Sequence, residues 1–209
     1  MPIMKWKATR KQRSETMAKI VNAGTGKNLV AGDDASEGAS IRRKLTNSQS
    51  LQDIFEIVKE LVWKVLKVDQ AGLLLGLAEM GIGPQGILGA YYSPDANTIV
   101  INKTVMNRVK KLSDPLLYNS YCFYILLHEY LHSCGFYDES QNRQIVAAIA
   151  AGSFGPDHAV TKLATTQDAM LKLIQTSFQG GSTEAEMSQP DSGIEFVERI
   201  DRRNTNYIN

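Results

Sequence analysis

The chain has 209 residues, of which 43% are hydrophobic and 22% charged, a balance typical of one soluble globular domain with flexible ends. A formal net charge of +1 does not indicate a polyanionic partner, and two cysteines provide no disulfide framework. The apolar stretch AGLLLGLAEMGIG is too short to cross a bilayer and contains Glu79, and the N-terminus lacks the apolar region of a secretory signal. We therefore expect a cytoplasmic protein with no membrane partner.

Residues 1–40 are predicted to form a basic, flexible N-terminal segment followed by a linker. Five Lys or Arg residues precede the first acidic residue, Glu15. Residues 22–40 are rich in Gly, Ala, Ser and Asp, a composition typical of linkers. A solvated chain end is the simplest interpretation of the basic run, and contact with nucleic acid or an acidic partner is the alternative.

The folded domain is predicted to span residues 41–176. After Ser50, a predicted N-cap, the stretch LQDIFEIVKELVWKVLKV places apolar residues at helical spacing. Two β-rich runs, residues 87–92 and 98–102, flank the turn sequence SPDAN and therefore predict a β-hairpin.

Three helices and a tail are predicted after the hairpin. The stretch SDPLLYNSYCFYILLHEYLHSCG is apolar almost all round and ends at Gly135, as expected of a buried helix with a glycine C-cap. SQNRQIVAAIAAG predicts a second helix ending at Gly152, and GPDHAVTKLATTQDAMLKLIQT a third with Pro156 near its first turn. Residues 177–209 begin with a polar, Gly- and Ser-containing run that predicts a flexible tail, although IEFVERI near the end is partly apolar.

The buried helix carries His128, Glu129 and His132, which are costly polar residues in an apolar run. Residues four apart share a helix face, so His128 and His132 can direct imidazole nitrogens at one metal ion. Zinc accepts such ligands in a tetrahedral site and keeps one position open when it is catalytic. Glu129 lies about 100° around the helix from His128, where it reaches a water molecule without binding the ion. The pattern therefore predicts Zn²⁺ as the cofactor and Glu129 as general base and acid.

These three residues form the HExxH motif, and on them the chain resembles the zincins, a class of zinc metallopeptidases. The resemblance covers residues 87–164 and is most specific between Leu127 and Asp138. It implies an α+β, zincin-like fold in which a small mixed β-sheet packs on the active-site helix, with further helices around it. It also implies hydrolysis of a peptide or protein substrate, with one of the two hairpin strands pairing to the extended substrate.

The third metal ligand stays open between two main candidates. His158 is the only other histidine of the chain, and imidazole suits zinc better than a single carboxylate, so His158 is the predicted ligand. The resemblance offers Asp138 as the alternative, because some metzincins extend the motif to HExxHxxGxxD, with Gly135 here at the eighth position and Asp138 at the eleventh. A gluzincin-type glutamate is not expected, because the next glutamate after Glu139 is Glu184, in the predicted tail. If His158 is the ligand, Asp138 or Glu139 would instead accept a hydrogen bond from a ligand's other N–H.

Zinc-dependent peptide hydrolysis is thus the predicted function, and two other functions compete with it. One is a non-catalytic zinc-binding module, and the other is a nucleic-acid-associated adaptor that uses the basic N-terminus. Tyr130 and Tyr137 are candidates for hydroxyls that stabilise an intermediate, against a simple packing role. Because compact zincins are latent when an end segment fills the cleft, IEFVERI also motivates the hypothesis of self-inhibition by a terminal segment.

Overall fold

A computed structural model describes residues 35–81, 88–166 and 193–197 of the chain. These residues form six helices and a four-stranded mixed sheet, so the α+β class expected from the sequence is confirmed. In chain order the elements are α1 (Ala35–Thr46), α2 (Leu51–Leu66), β1 (Leu74–Ala78), β2 (Ala90–Ser93), β3 (Thr98–Asn102), α3 (Lys103–Lys111), α4 (Pro115–Ser133), α5 (Glu139–Phe154), α6 (Ala159–Thr165) and β4 (Glu195–Phe196).

The first two described helices bear on the predicted domain boundary. Helix α1 starts at Ala35, inside the segment that composition predicts to be a linker, because its buried residues Ile41 and Leu45 anchor it to the core. Composition alone does not reveal this anchoring, so the predicted boundary at residue 41 falls inside a helix. Helix α2 begins as predicted: the Ser50 side chain accepts from the Asp53 amide, and the Asp53 carboxylate accepts in return from the Ser50 amide.

The sheet has the strand order β2-β3-β1-β4. The predicted hairpin is confirmed, with β2 and β3 antiparallel and Ser93 opposite Thr98 around the turn of residues 94–97. Strand β2 starts at Ala90, and the predicted start at residue 87 lies outside the described residues. Strand β3 is central, and among the described strands β2 forms the free edge on the hairpin side.

Strand β1 and helix α3 are two elements that the sequence pattern does not predict. Strand β1 pairs in parallel with β3, with Leu75 opposite Ile99. A parallel strand that is covered on both faces is apolar throughout, whereas a half-exposed strand alternates apolar and polar residues. The run LLGLA has no such alternation, so the sequence does not mark it as a strand. Helix α3 follows β3 without a loop, because Asn102 ends the strand and also caps the helix by accepting from the Thr104 amide.

Helix α4 lies at the centre of the molecule. It contacts all five other described helices, α1, α2, α3, α5 and α6, and also strands β2 and β3. Its fully buried aromatic residues Tyr121, Phe123 and Tyr130 explain why the sequence is apolar almost all round. The predicted end is confirmed, since the helix stops at Ser133 and Gly135 follows with φ 96°. No helix in the described part of the chain is long and apolar enough to cross a membrane.

A short piece of the predicted flexible tail forms strand β4 on the far edge of the sheet. The Val197 amide donates to the Leu75 carbonyl over 2.9 Å, and the Lys103 ammonium pairs with the Glu195 carboxylate, also at 2.9 Å. Ile194 lies so close to Gly76 that a Cβ there would sit 2.5 Å from Ile194 Cγ2. These described tail residues therefore lie on the edge opposite β2, and the rest of the tail lies outside the described residues.

Candidate metal centre

Three side chains converge at the end of α4, and they are His128, His132 and Glu139. The Nε2 atoms of the two histidines lie 3.1 Å apart. Glu139 places Oε1 at 3.0 Å from His132 Nε2 and Oε2 at 3.4 Å from His128 Nε2. Among the described residues, these are the His, Cys, Asp and Glu side chains that together could hold a metal ion.

The local chain path explains why Glu139 reaches the histidine pair. His128 and His132 share one face of α4, one turn apart. The helix ends at Gly135, whose positive φ turns the chain back, and Asp138 then caps α5 by accepting from the Gln141 amide at 2.7 Å. Glu139 is the first residue of α5, so this turn carries its carboxylate to the histidines.

Hydrogen bonds behind the site orient the second histidine. His132 Nδ1 lies 2.9 Å from the Phe136 carbonyl oxygen, which can only accept, so Nδ1 carries the proton. In the neutral ring, Nε2 then presents a lone pair to the cluster, which is the tautomer that binds metals. Asn142 is fully buried and donates to the His128 carbonyl at 3.0 Å, which ties α5 to the helix that carries both histidines.

With a neutral His132 and an ionised Glu139, this arrangement brings together hydrogen-bond acceptors that have no donor between them. The lone pair of His132 Nε2 faces a Glu139 oxygen at 3.0 Å, and an ionised carboxylate has no proton to donate. Two acceptors at this distance repel each other unless a cation, either a proton or a metal ion, lies between them. The donor set therefore fits a shared cation.

The spacing of the three donors also fits a metal ion. Ligands about 2.1 Å from a tetrahedral ion lie roughly 3.4 Å from one another. The observed separations of 3.0, 3.1 and 3.4 Å are close to that spacing. Three protein ligands leave one tetrahedral position open, which is the arrangement of catalytic rather than structural zinc sites.

Burial keeps His128 in the neutral form that a metal needs. Burial, together with the charge of the neighbouring His132, lowers the pKa of His128 to about 4, against an opposing effect of the Glu139 carboxylate. Its Nδ1 is buried and has no hydrogen-bond partner among the described residues. The Nε2 atom therefore provides the polar contact of this ring, and it points at the cluster.

Glu129 is buried beside the cluster with 8% of its surface exposed. Burial, together with the negative charge of Glu139, raises the pKa of Glu129 to about 7, although a hydrogen bond with the backbone of Tyr92 opposes the shift. A carboxyl group with this pKa can both accept and release a proton near neutral pH. The contact with Tyr92 also joins Glu129 to strand β2.

The cluster opens into a cleft of about 800 Å³. The cleft is lined by residues 88–92 and Pro94, which include most of strand β2, and by residues of α4, α5 and α6. His128, Glu129, His132 and Glu139 all line this cleft. The structure thus places a candidate metal site and an adjacent carboxyl group where a ligand of several residues can reach them.

The structure does not bring His158 or Asp138 to the histidine pair. His158 caps α6: its Nδ1 accepts from the Val160 amide at 3.2 Å, and its ring lies 4.9 Å from that of Phe154. The carboxylate of Asp138 is used to cap α5. Among the described residues, Glu139 rather than either predicted candidate lies with the histidine pair, because helix capping directs the side chains of His158 and Asp138 elsewhere.

The two predicted tyrosines differ in position. Tyr130 is 1% exposed and packs edge-on against Phe55, and its hydroxyl accepts from the Gln70 amide, so it is a core residue. Tyr137 is 61% exposed and lines the cleft. The hydroxyl role considered for Tyr130 is therefore wrong, and the role of Tyr137 stays a prediction.

Glu139 is the candidate ligand that the sequence pattern did not predict in that role. Its signal was present, because it follows Asp138 directly and both lie just after the turn at Gly135. Which of two adjacent carboxylates turns inward depends on where the next helix starts, and its N-cap was not assigned from the sequence.

Comparisons with known proteins do not assign this chain to a family. No protein-family model, curated protein or solved structure matches it significantly.

Proposed function

We propose that this protein is a zinc-dependent metallopeptidase with a zincin-like fold. The observation that carries the proposal is the convergence of His128, His132 and Glu139 in one cleft, with the buried carboxyl group of Glu129 beside them. Two imidazole nitrogens and one carboxylate are a ligand set that zinc accepts in hydrolases. The same set occurs in gluzincins, although here the glutamate follows the second histidine by only seven residues.

The protein's own groups divide the chemistry between them. Zinc bound here would supply a Lewis acid that polarises a carbonyl group and lowers the pKa of water. Glu129 takes a proton from the attacking water and then gives it to the leaving amine, as its pKa of about 7 allows. The hydrogen bond between His132 Nδ1 and the Phe136 carbonyl holds that imidazole in the ligating tautomer.

Strand β2 supplies a binding surface for an extended substrate. It is an edge strand of the described sheet, it lines the cleft, and Tyr92 within it contacts Glu129. An extended peptide that pairs with this edge would pass directly over the cluster. This position agrees with the zincin resemblance, in which a hairpin strand binds the substrate.

The competing functions have less support. A structural zinc site is closed by four protein ligands, whereas three converge here among the described residues and they face a cleft. The nucleic-acid adaptor depends on the basic residues near the N-terminus, which lie outside the described residues. The cytoplasmic location and the self-inhibition by a terminal segment stay predictions.

The proposal is tested with the Glu129→Gln variant. We expect the variant to bind one zinc ion as the wild type does but to lose more than about 100-fold in peptide cleavage, because the amide cannot accept the proton. Glu56→Gln, an exposed change on α2, serves as the matched control and should leave cleavage unchanged. Undiminished cleavage by Glu129→Gln, or no cleavage by the zinc-loaded wild type on a broad peptide mixture, would refute the proposed function.

A further inference from the structure

Arg143 is the one cationic residue among those that line the cleft in the described part of the chain. It follows Glu139 by four residues on α5, and Val146 follows it by three, so all three lie on the same helix face. The Arg143 side chain is 65% exposed. A guanidinium group is therefore presented to the cleft beside the candidate metal ligand.

The contact between Arg143 and Glu139 does not account for this position. Arg143 Nε lies 3.7 Å from Glu139 Oε2, which is longer than a hydrogen bond. Ion pairs this exposed contribute little to stability. If Glu139 binds a metal ion, its charge is shared with that ion, and the attraction for Arg143 becomes weaker still.

The formal charge of the cleft also bears on the kind of ligand that it would bind. Two carboxylates, Glu129 and Glu139, and one guanidinium give the lining residues a formal charge of −1 with neutral histidines. A bound divalent cation changes the formal charge of the cleft to +1. A positive cleft with an exposed arginine favours an anionic ligand, and the planar guanidinium suits a carboxylate in particular.

Large apolar and aromatic side chains also line the cleft. Leu88, Tyr91 and Tyr137 line it and are 53%, 36% and 61% exposed. When large apolar side chains with this exposure are grouped at a cleft, they indicate a ligand-binding surface. The cleft therefore presents exposed apolar surface as well as a guanidinium group to a bound chain.

We propose that Arg143 selects peptide substrates that carry a carboxylate close to the scissile bond. This inference rests on the proposed peptidase function and adds the substrate class. The guanidinium group lies beside the candidate ligand, with Arg143 Nε 3.7 Å from Glu139 Oε2. An extended peptide advances about 3.3 Å per residue, so the carboxylate lies one or two residues from the bond that is cut. It is either an acidic side chain or the carboxyl terminus of a short peptide.

The experiment uses zinc-loaded full-length protein and pools of randomised heptapeptides. In the first arm the ends are blocked and Glu is compared with Gln at each position in turn. In the second arm the peptides lack acidic residues, and a free C-terminal carboxylate is compared with an amide. Mass spectrometry reports the cleavage sites and rates. The variants are Arg143→Gln and Arg143→Lys, with Lys162→Gln, an exposed residue of α6 that does not line the cleft, as the charge-matched control.

We expect the wild type to cleave one of the two carboxylate-containing pools about three to ten times faster than its neutral match, as suits a partly exposed charged contact. Arg143→Gln should remove this preference, Arg143→Lys should retain part of it, and Lys162→Gln should retain all of it. The arm that shows the preference identifies the source of the carboxylate. Equal cleavage of charged and neutral pools by the wild type would overturn the inference and leave the peptidase function intact.

Two further measurements separate this role from others. If Arg143 merely positions Glu139, then Arg143→Gln weakens zinc binding and slows all peptides equally, which would also overturn the inference. Binding of the labelled pools to zinc-loaded Glu129→Gln, followed by fluorescence anisotropy, measures the charge preference without cleavage. Tighter binding of a carboxylate pool there would support the inference even if hydrolysis failed, whereas equal binding would contradict it.

Discussion

Replacing Glu139 by Gln is the most direct perturbation of the candidate metal centre. The amide has nearly the same shape but no charge, and the carboxylate is the only anionic member of the three-residue cluster. Loss of residues that only support a metal ligand costs about 10- to 100-fold in affinity, so loss of a ligand should cost at least about 100-fold. That factor corresponds to about 2.8 kcal/mol of binding free energy.

The metal-free fold should tolerate this change. The Glu139 side chain is 59% exposed, and exposed ion pairs contribute at most about 1 kcal/mol. Zinc affinity is measured by competition with a chromophoric chelator, and the melting temperature of the metal-free protein is measured in parallel. A large loss of affinity with little change in melting temperature is the expected combination.

Two variants serve as controls because they replace the ligands predicted from the sequence. Asp138→Asn preserves the N-cap of α5, and His158→Asn preserves an acceptor at the N-cap of α6. Both should bind zinc within about threefold of the wild type, as expected for side chains outside the cluster. Zinc affinity retained by Glu139→Gln and lost by His158→Asn or Asp138→Asn would refute the ligand assignment.

Two further predictions concern stability. Folding raises the pKa of Glu129 to about 7 from an ordinary value of 4.5, so the metal-free wild type loses stability as the pH rises through this range. The free energy of unfolding of metal-free Glu129→Gln should therefore exceed that of the metal-free wild type by about 1 to 3 kcal/mol at pH 8, and the difference should disappear at pH 4. Urea unfolding in the presence of a chelator measures both values. Parallel pH profiles of the two proteins would contradict this prediction. Gly76→Ala should displace Ile194 and lower the hydrogen-exchange protection of the Val197 amide. Gly193→Ala is the control and should leave this protection unchanged, because a Cβ at Gly193 has no atom within 4 Å. Unchanged protection in both variants would refute the tight contact.

Local patterns were sufficient where neighbouring residues decide the structure. The capping box at Ser50 and Asp53, the hairpin turn and the glycine that ends α4 each depend on contacts within a few residues. The placement of His128 and His132 on one face also follows from helix geometry alone. Strand β1 was not recognised, because its parallel pairing with β3 joins residues that are distant in the sequence.

The sequence by itself determined that a buried helix carries two histidines and a carboxylate at metal-site spacing. The tertiary structure decided which carboxylate lies beside the histidine pair, because the start of α5 at Glu139 depends on how the chain turns back against α4. It also decided the environment of Glu129, whose raised pKa results from burial and from the nearby charge of Glu139. Motif spacing is a property of one helix, whereas ligand choice and burial depend on elements that pack against it.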